Sequence, residues 1–317
     1  MSATSPTNAL SYYGRPIVKE PVWNVEIPLY FFTGGLTGAS DLLALAAQLS
    51  GNQRLRTSAL AVATFGTAVS PYFLIKDLGR PLRFLNMMRV VKVTSPMSVG
   101  TWIFSAESAT TSIAAACRLF DVLPRVRATA QVLAGLIGPA QATYTGALVA
   151  QSVVPAWHEA RRELPVLFAS SAAASAGGAA AILTPTEHAG PARRLGIIGG
   201  VAELATSKLM EKRLGKLVGS VYHEGDAGKY SRLGTASTVA GTALMAFAGK
   251  RRVGALAAGA LLLTGSLCER FAVYHAGKQS ARDPRHTSIP QKERGGRAVT
   301  QPRSRTGNGS SPSASTR

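Results

Sequence analysis

Charge is what this sequence has least of. Only 16% of its 317 residues are Asp, Glu, Lys or Arg, against about a quarter in an ordinary soluble domain. The charge that exists falls in short runs. Between them lie uncharged stretches of the ~17–25 residues that a bilayer core asks of one helix, so a water-soluble globule is excluded for most of the chain. Cysteine is nearly absent too. Cys117 and Cys268 each close an apolar segment. They form no CxxC pair, so the chain is expected to hold no iron–sulfur cluster of its own and no structural disulfide. Residues 1–20 lack a short apolar run ahead of a small-residue cleavage site, and no signal peptide is expected. The five histidines (His158, His188, His223, His275 and His286) all avoid the middle of apolar segments. Haem in a membrane bundle takes its axial ligands from within the helices, so no haem is expected. There is no P-loop and no metal-ligand spacing.

What is present is Ala- and Gly-rich apolar sequence, 46% hydrophobic overall. Eight segments follow one another: Ile27–Leu49, Leu60–Ile75, Met97–Cys117, Ala128–Val154, Leu164–Leu183, Leu195–Met210, Leu233–Gly249 and Val253–Cys268. They predict an all-α, polytopic integral membrane protein of eight transmembrane helices. The sixth, which carries Glu203 and Lys208, is the least regular. Small residues such as Gly34-x-x-x-Gly38 and Gly196-x-x-x-Gly200 predict close helix packing. The expected organisation is an N-terminal arm over 1–26, a membrane domain over 27–276 and a disordered basic tail over 277–317, where too few apolar residues remain to build a core. With eight spans the termini share one side, which receives 25 Lys and Arg against 10 on the other. The positive-inside rule then places both termini in the cytoplasm. The net charge of +19 fits basic loops beside anionic headgroups better than nucleic acid, because no stacking aromatics are interleaved with the basic residues.

The candidate chemistry lies in a few polar residues. Asp41, Glu107 and Glu203 sit in otherwise apolar helices, where a charge costs at least ~2.5–3.5 kcal/mol. Each must be protonated, paired or facing water. Proton transfer is one reading and a helix-orienting hydrogen bond the other. Glu107, in mid-helix, favours transfer most. Glu203, near Lys208 and Arg213 in sequence, favours a structural pair. Gln141 and Tyr144 share one face of the fourth helix and could hydrogen-bond a quinone carbonyl or simply another helix. The connection after the second helix runs Asp77-Leu-Gly-Arg80-Pro-Leu-Arg83-Phe-Leu-Asn86-Met-Met-Arg89. Pro81 suits the first turn of a short amphipathic helix lying in the interface. Ser95-Pro96 then caps and opens the third long helix. An elbow with Asp77, Arg80 and Arg83 could be a helix clamp or the mouth of a ligand site.

Several of these stretches together resemble the NrfD/PsrC family. They are Leu29-Tyr-Phe-Phe-Thr-Gly-Gly35, the Asp77-Leu-Gly-Arg-Pro and Arg83-Phe-Leu-Asn-Met pair, Ser95-Pro-Met-Ser-Val-Gly-Thr-Trp102, and Arg270-Phe-Ala-Val-Tyr-His-Ala-Gly277 with Ser280-Ala-Arg-Asp-Pro284. The resemblance covers roughly residues 11–285 and is strongest before 105. It implies an eight-helix subunit in the bacterial plasma membrane that exchanges electrons with quinone (menaquinone or ubiquinone). Its partners would be a ferredoxin-like iron–sulfur subunit and a molybdopterin catalytic subunit, as in polysulfide or formate-type oxidoreductases. On this reading Asp77, Arg80, Arg83, Glu107, Gln141, Tyr144 and Asp41 are the candidates for a quinone site or proton path. One rival is a secondary transporter or proton channel, although the elbow at Asp77 has no counterpart after the sixth segment, as an internal repeat would require. The other rival is a plain membrane anchor for its partner.

Overall fold

The computed structural model describes residues 17–288, and the larger part of the expected tail lies outside them. Among the described residues eight helices of 20 residues or more form the body, one for each expected segment. In chain order they are α1 (Glu26–Leu49), α2 (Gln53–Asp77), α4 (Pro96–Leu119), α5 (Pro124–Ala150), α7 (Leu164–Leu183), α8 (Gly190–Gly219), α9 (Gly225–Ala248) and α10 (Arg252–Arg282). Two short α-helices join them, α3 (Arg83–Met88), the expected elbow, and α6 (Pro155–Glu159), with one 3-10 turn, Ser220–Tyr222, before α9.

The local signals explain the boundaries. Asn52 caps α2, accepting the Leu55 N–H at 3.1 Å, and so starts it seven residues ahead of the expected Leu60. Ser95 caps α4 with Pro96 behind it, as expected. The last helix differs most from expectation. It does not end at Cys268 but continues past Gly277, where the tail was expected to start, to Arg282. Its extra turns bury Glu269, Arg270 and Tyr274, which apolar length alone could not anticipate.

Helices α1, α2, α4 and α5 pack as one group and α7 to α10 as a second. Contacts of α7 with α1 and α5, and of α10 with α1, join the two. α1 lies between the groups and is the most buried span. The small-residue positions mark the crossings. A methyl on Gly38 would overlap the Gly138 carbonyl oxygen of α5, and one on Gly177 would overlap the backbone of Gly196. The backbones approach there because neither side carries a Cβ.

Five helices (α1, α2, α5, α7 and α10) are long and apolar enough to cross a membrane by length and composition. The other three fall short for visible reasons. α4 carries Glu107 among many Ser and Thr, α8 carries Arg193, Arg194, Glu203 and Lys208, and α9 is rich in Gly and Thr.

Candidate functional site

At one end of the first group, the start of α1, the end of α2, the start of α4 and the end of α5 leave a slot. It is lined by Trp23, Tyr30, Phe31, Leu74, Asp77, Met97, Thr101, Phe104 and Tyr144. Its walls are aromatic and aliphatic, with few polar groups. That composition suits a flat, largely apolar ligand.

The polar groups are fixed by local structure. Tyr30 sits one turn inside α1 and is 1% exposed. Its hydroxyl meets that of Tyr144 at 3.1 Å. Phe104 of α4 stands edge-on to the Tyr30 ring at 5.7 Å, and Gly100, one turn earlier, leaves the room that the Tyr144 ring fills. Asp77 closes the outer end, accepting the Asn24 N–H at 3.0 Å. Beside it Lys76 of α2 pairs with Glu26 of α1 at 2.8 Å. These two links tie the arm and α1 to the end of α2.

Behind the hydroxyl pair, polar side chains continue into the bundle. Gln141, one turn before Tyr144, is fully buried, and neither polar atom of its amide has a hydrogen-bond partner within the protein. Glu107 lies one turn below Phe104, within electrostatic reach of Tyr30. Its carboxyl lies near that of Asp41, but neither Glu107 oxygen nor Asp41 Oδ1 makes a hydrogen bond within the protein, while Asp41 Oδ2 accepts from Thr111 at 2.6 Å. The column Tyr144–Tyr30–Glu107–Asp41–Thr111 therefore runs from the slot toward the middle of α1, α4 and α5.

The structure thus brings Asp77 and Tyr144 together at the slot and sets Gln141, Glu107 and Asp41 behind it. Arg80 and Arg83 are not part of that group. They are exposed on the elbow, around a shallow depression formed by Gly79–Arg89. Asp77 is bonded to the arm and makes no ion pair with either arginine. Sequence reasoning missed Tyr30, Trp23 and Thr101. The first stands in one of the family-like motifs but had no role assigned to it, although a signal for one existed: an isolated Tyr hydroxyl at the apolar start of α1.

A second buried polar cluster was also missed. Glu203 of α8 does not pair with Lys208 or Arg213. Lys208 is exposed, and Arg213 bonds Glu163 at 2.7 Å. Glu203 instead accepts from Thr238 of α9 at 3.0 Å, with Glu269 and Arg270 of α10 nearby. The Arg270 guanidinium, 1% exposed, lies over the Phe168 ring at 4.0 Å and donates to the Phe168 carbonyl at 2.8 Å. Among the described residues no three His, Cys, Asp or Glu side chains come together as a metal site.

A bundle of long apolar helices, with an aromatic slot at one end and carboxyls sealed inside, defines a helical integral membrane protein. The family model described as polysulphide reductase, NrfD, matches residues 17–210, and the chain belongs to that family. It is therefore a membrane subunit of the polysulphide-reductase type. No curated protein matches the chain.

Proposed function

We propose that this chain is the quinone-reactive subunit of a respiratory oxidoreductase complex, with all eight long helices crossing the bilayer and both termini in the cytoplasm. The slot takes the quinone ring between Trp23, Phe104 and the Tyr30–Tyr144 pair. A quinone carbonyl accepts a hydrogen bond from one of the two hydroxyls, in a site dry enough to make that bond count. The electrons pass to an iron–sulfur cluster in a ferredoxin-like partner docked over the elbow, where Arg80, Arg83 and Arg89 present positive charge, and a molybdopterin subunit lies beyond. Glu107 and Asp41 hold and exchange the protons that accompany quinone chemistry. One observation carries this reading: the hydroxyl pair forms the inner wall of an apolar slot and is backed by the carboxyl column.

Two experiments test it. Mild-detergent purification of the tagged protein, with iron and molybdenum analysis, should recover a cluster-bearing partner. Quinol-linked electron transfer in the intact complex should fall about tenfold in Tyr144→Phe, the loss expected from one hydrogen bond in a dry site. It should fall further in Glu107→Gln, with assembly unchanged. A protein that purifies alone and without iron points to a transporter. A complex that assembles but shows no quinone-linked turnover leaves only the anchor.

A further inference from the structure

The opposite end of the same four helices holds a cavity of a different kind. The start of α2, the end of α4 and the start of α5 form a cavity lined by Gln53, Arg56, Thr57, Leu60, Arg118, Arg127 and Gln131. Three guanidiniums converge there. The closest acid, Asp121, lies 3.6 Å from Arg127 and is 87% exposed, so it neutralises little of that charge.

The donors are oriented but not used up. Gln131 is fully buried, and its carbonyl oxygen accepts from Arg56 Nε at 2.6 Å. That bond turns the Gln131 amide nitrogen away from Arg56, and the nitrogen has no partner. Arg56 Nη2 and Arg127 Nε are likewise buried without partners. Unsatisfied buried donors are costly, and three of them around one cavity with like charges crowding it describe a site built for an anion. Guanidinium forks match tetrahedral oxyanions in particular. The surface beside the cavity is apolar and open: Leu119, Phe120, Leu123 and Val126 at the α4–α5 turn are all exposed.

We propose that this cavity binds a phosphate group, held by Arg56, Arg118, Arg127 and the Gln131 amide. The exposed apolar turn makes an anionic phospholipid, with its acyl chains along α4 and α5, the source that the surface fits. The site is separate from the slot and independent of what the slot binds.

The test uses the full-length protein, purified and delipidated in detergent, with three probes: phosphatidylglycerol, phosphatidylcholine, and inorganic phosphate against chloride at matched ionic strength. Binding is read by native mass spectrometry and by the shift in Tm. Phosphatidylglycerol should bind at least about tenfold tighter than phosphatidylcholine. Arg127→Gln and Arg118→Gln should each weaken it by about tenfold, the usual cost of one charge-assisted hydrogen bond. Arg54→Gln, exposed on the same end but outside the cavity, should change it less than twofold. Arg118 is itself exposed, so its variant folds even if a buried replacement does not. A response to inorganic phosphate that Arg118→Gln abolishes, without preference among lipids, assigns the site to the free anion. Equal binding of both lipids with no phosphate response overturns the proposal. So does an equal loss in Arg54→Gln and Arg118→Gln, because the attraction is then general surface charge.

Discussion

Gly100→Ala is the sharpest probe of the slot, because it adds one methyl and removes no chemistry. A Cβ at residue 100 would lie 2.5 Å from Tyr144 Cδ2 and closer still to Cε2 and Cζ. Carbon atoms settle at about 3.5–4.0 Å, so the ring must retreat by at least about 1 Å. The Tyr30–Tyr144 hydroxyl contact stands at 3.1 Å and has only a few tenths of an ångström to give before it ceases to be a hydrogen bond. The methyl therefore breaks the pair and narrows the slot in one step. What gives way is the outer end of a side chain, not backbone, so the stability loss should sit at the low end of overpacking, about 1 kcal/mol. The function of the slot should suffer more than the fold. Quinol-linked turnover of the complex should fall by about tenfold or more, with the Tm nearly kept. Tyr144→Phe should reproduce the loss of the hydroxyl pair without the crowding. Unchanged turnover and quinol affinity in Gly100→Ala, in a folded complex, would refute both the assignment of the slot and the role of the hydroxyl pair.

Other changes separate packing from chemistry. Gly38→Ala meets backbone, the Gly138 carbonyl and the Ala142 nitrogen, and must push α1 from α5; it should cost about 2–3 kcal/mol, visible as a lower Tm in detergent. Arg270→Leu leaves Glu203 and Glu269 without their buried cation and should cost about 3 kcal/mol, whereas Lys208→Leu on the exposed side should cost almost nothing. At the outer surface, Arg282 bonds Glu20 through two nitrogens at 2.8 and 2.9 Å, and this guanidinium holds the Glu20 carboxyl below its ordinary 4.5. A carboxyl whose folded value is depressed contributes stability at pH above 4.5, and that contribution is lost as pH falls through the lower folded value. The Glu20→Gln/Arg282→Gln double-mutant cycle should therefore show a coupling of under about 1 kcal/mol at pH 7 that vanishes in acid. A coupling that persists once the Glu20 carboxyl is protonated would contradict the pairing.

Periodicity and charge spacing made all eight long helices legible, together with the Ser95 cap and the elbow at Pro81, because each depends on neighbours in sequence. Helix ends were legible where the apolar run itself stops, as at Leu49 and Leu183, and not where a helix runs into polar sequence, as at the start of α2. α10 overran its apolar stretch where Arg270 meets Phe168 on α7 and Glu203 on α8, and no reading along the chain can see a partner 67 or 102 residues away. The same limit governs the site. Glu107 and Asp41 stood out singly as carboxyls in apolar sequence, but that they face each other depends on α1 and α4 packing in one register. Tyr30 offered one hydroxyl in an aromatic run, a signal that gains a role only once α5 sets Tyr144 against it. Arg56, Arg118 and Arg127 read as scattered loop charges until α2, α4 and α5 brought them to one cavity.

The family match ends at residue 210, yet the slot depends on α10, which lies beyond it. Trp23, on the slot wall, accepts the Tyr274 hydroxyl at its carbonyl at 2.6 Å and stacks on Trp157 at 5.3 Å. Trp157 in turn donates to the Val273 carbonyl at 2.7 Å, so α10 holds Trp23 from two directions. Further in, Arg270 lies on Phe168, and Phe168 packs on Phe31 at 5.8 Å, the neighbour of Tyr30. The second helix group thus contributes no polar group to the slot but fixes its rear wall through aromatic contacts. Such contacts orient rings more than they add stability. Loss of the Tyr274 hydroxyl should therefore act on the slot and not on the fold: Tyr274→Phe should raise the KM for quinol and leave kcat and Tm close to wild type. An unchanged KM would mean that the Tyr274 hydroxyl does not position Trp23, and that any hold of α10 on the slot passes through Trp157 and Val273.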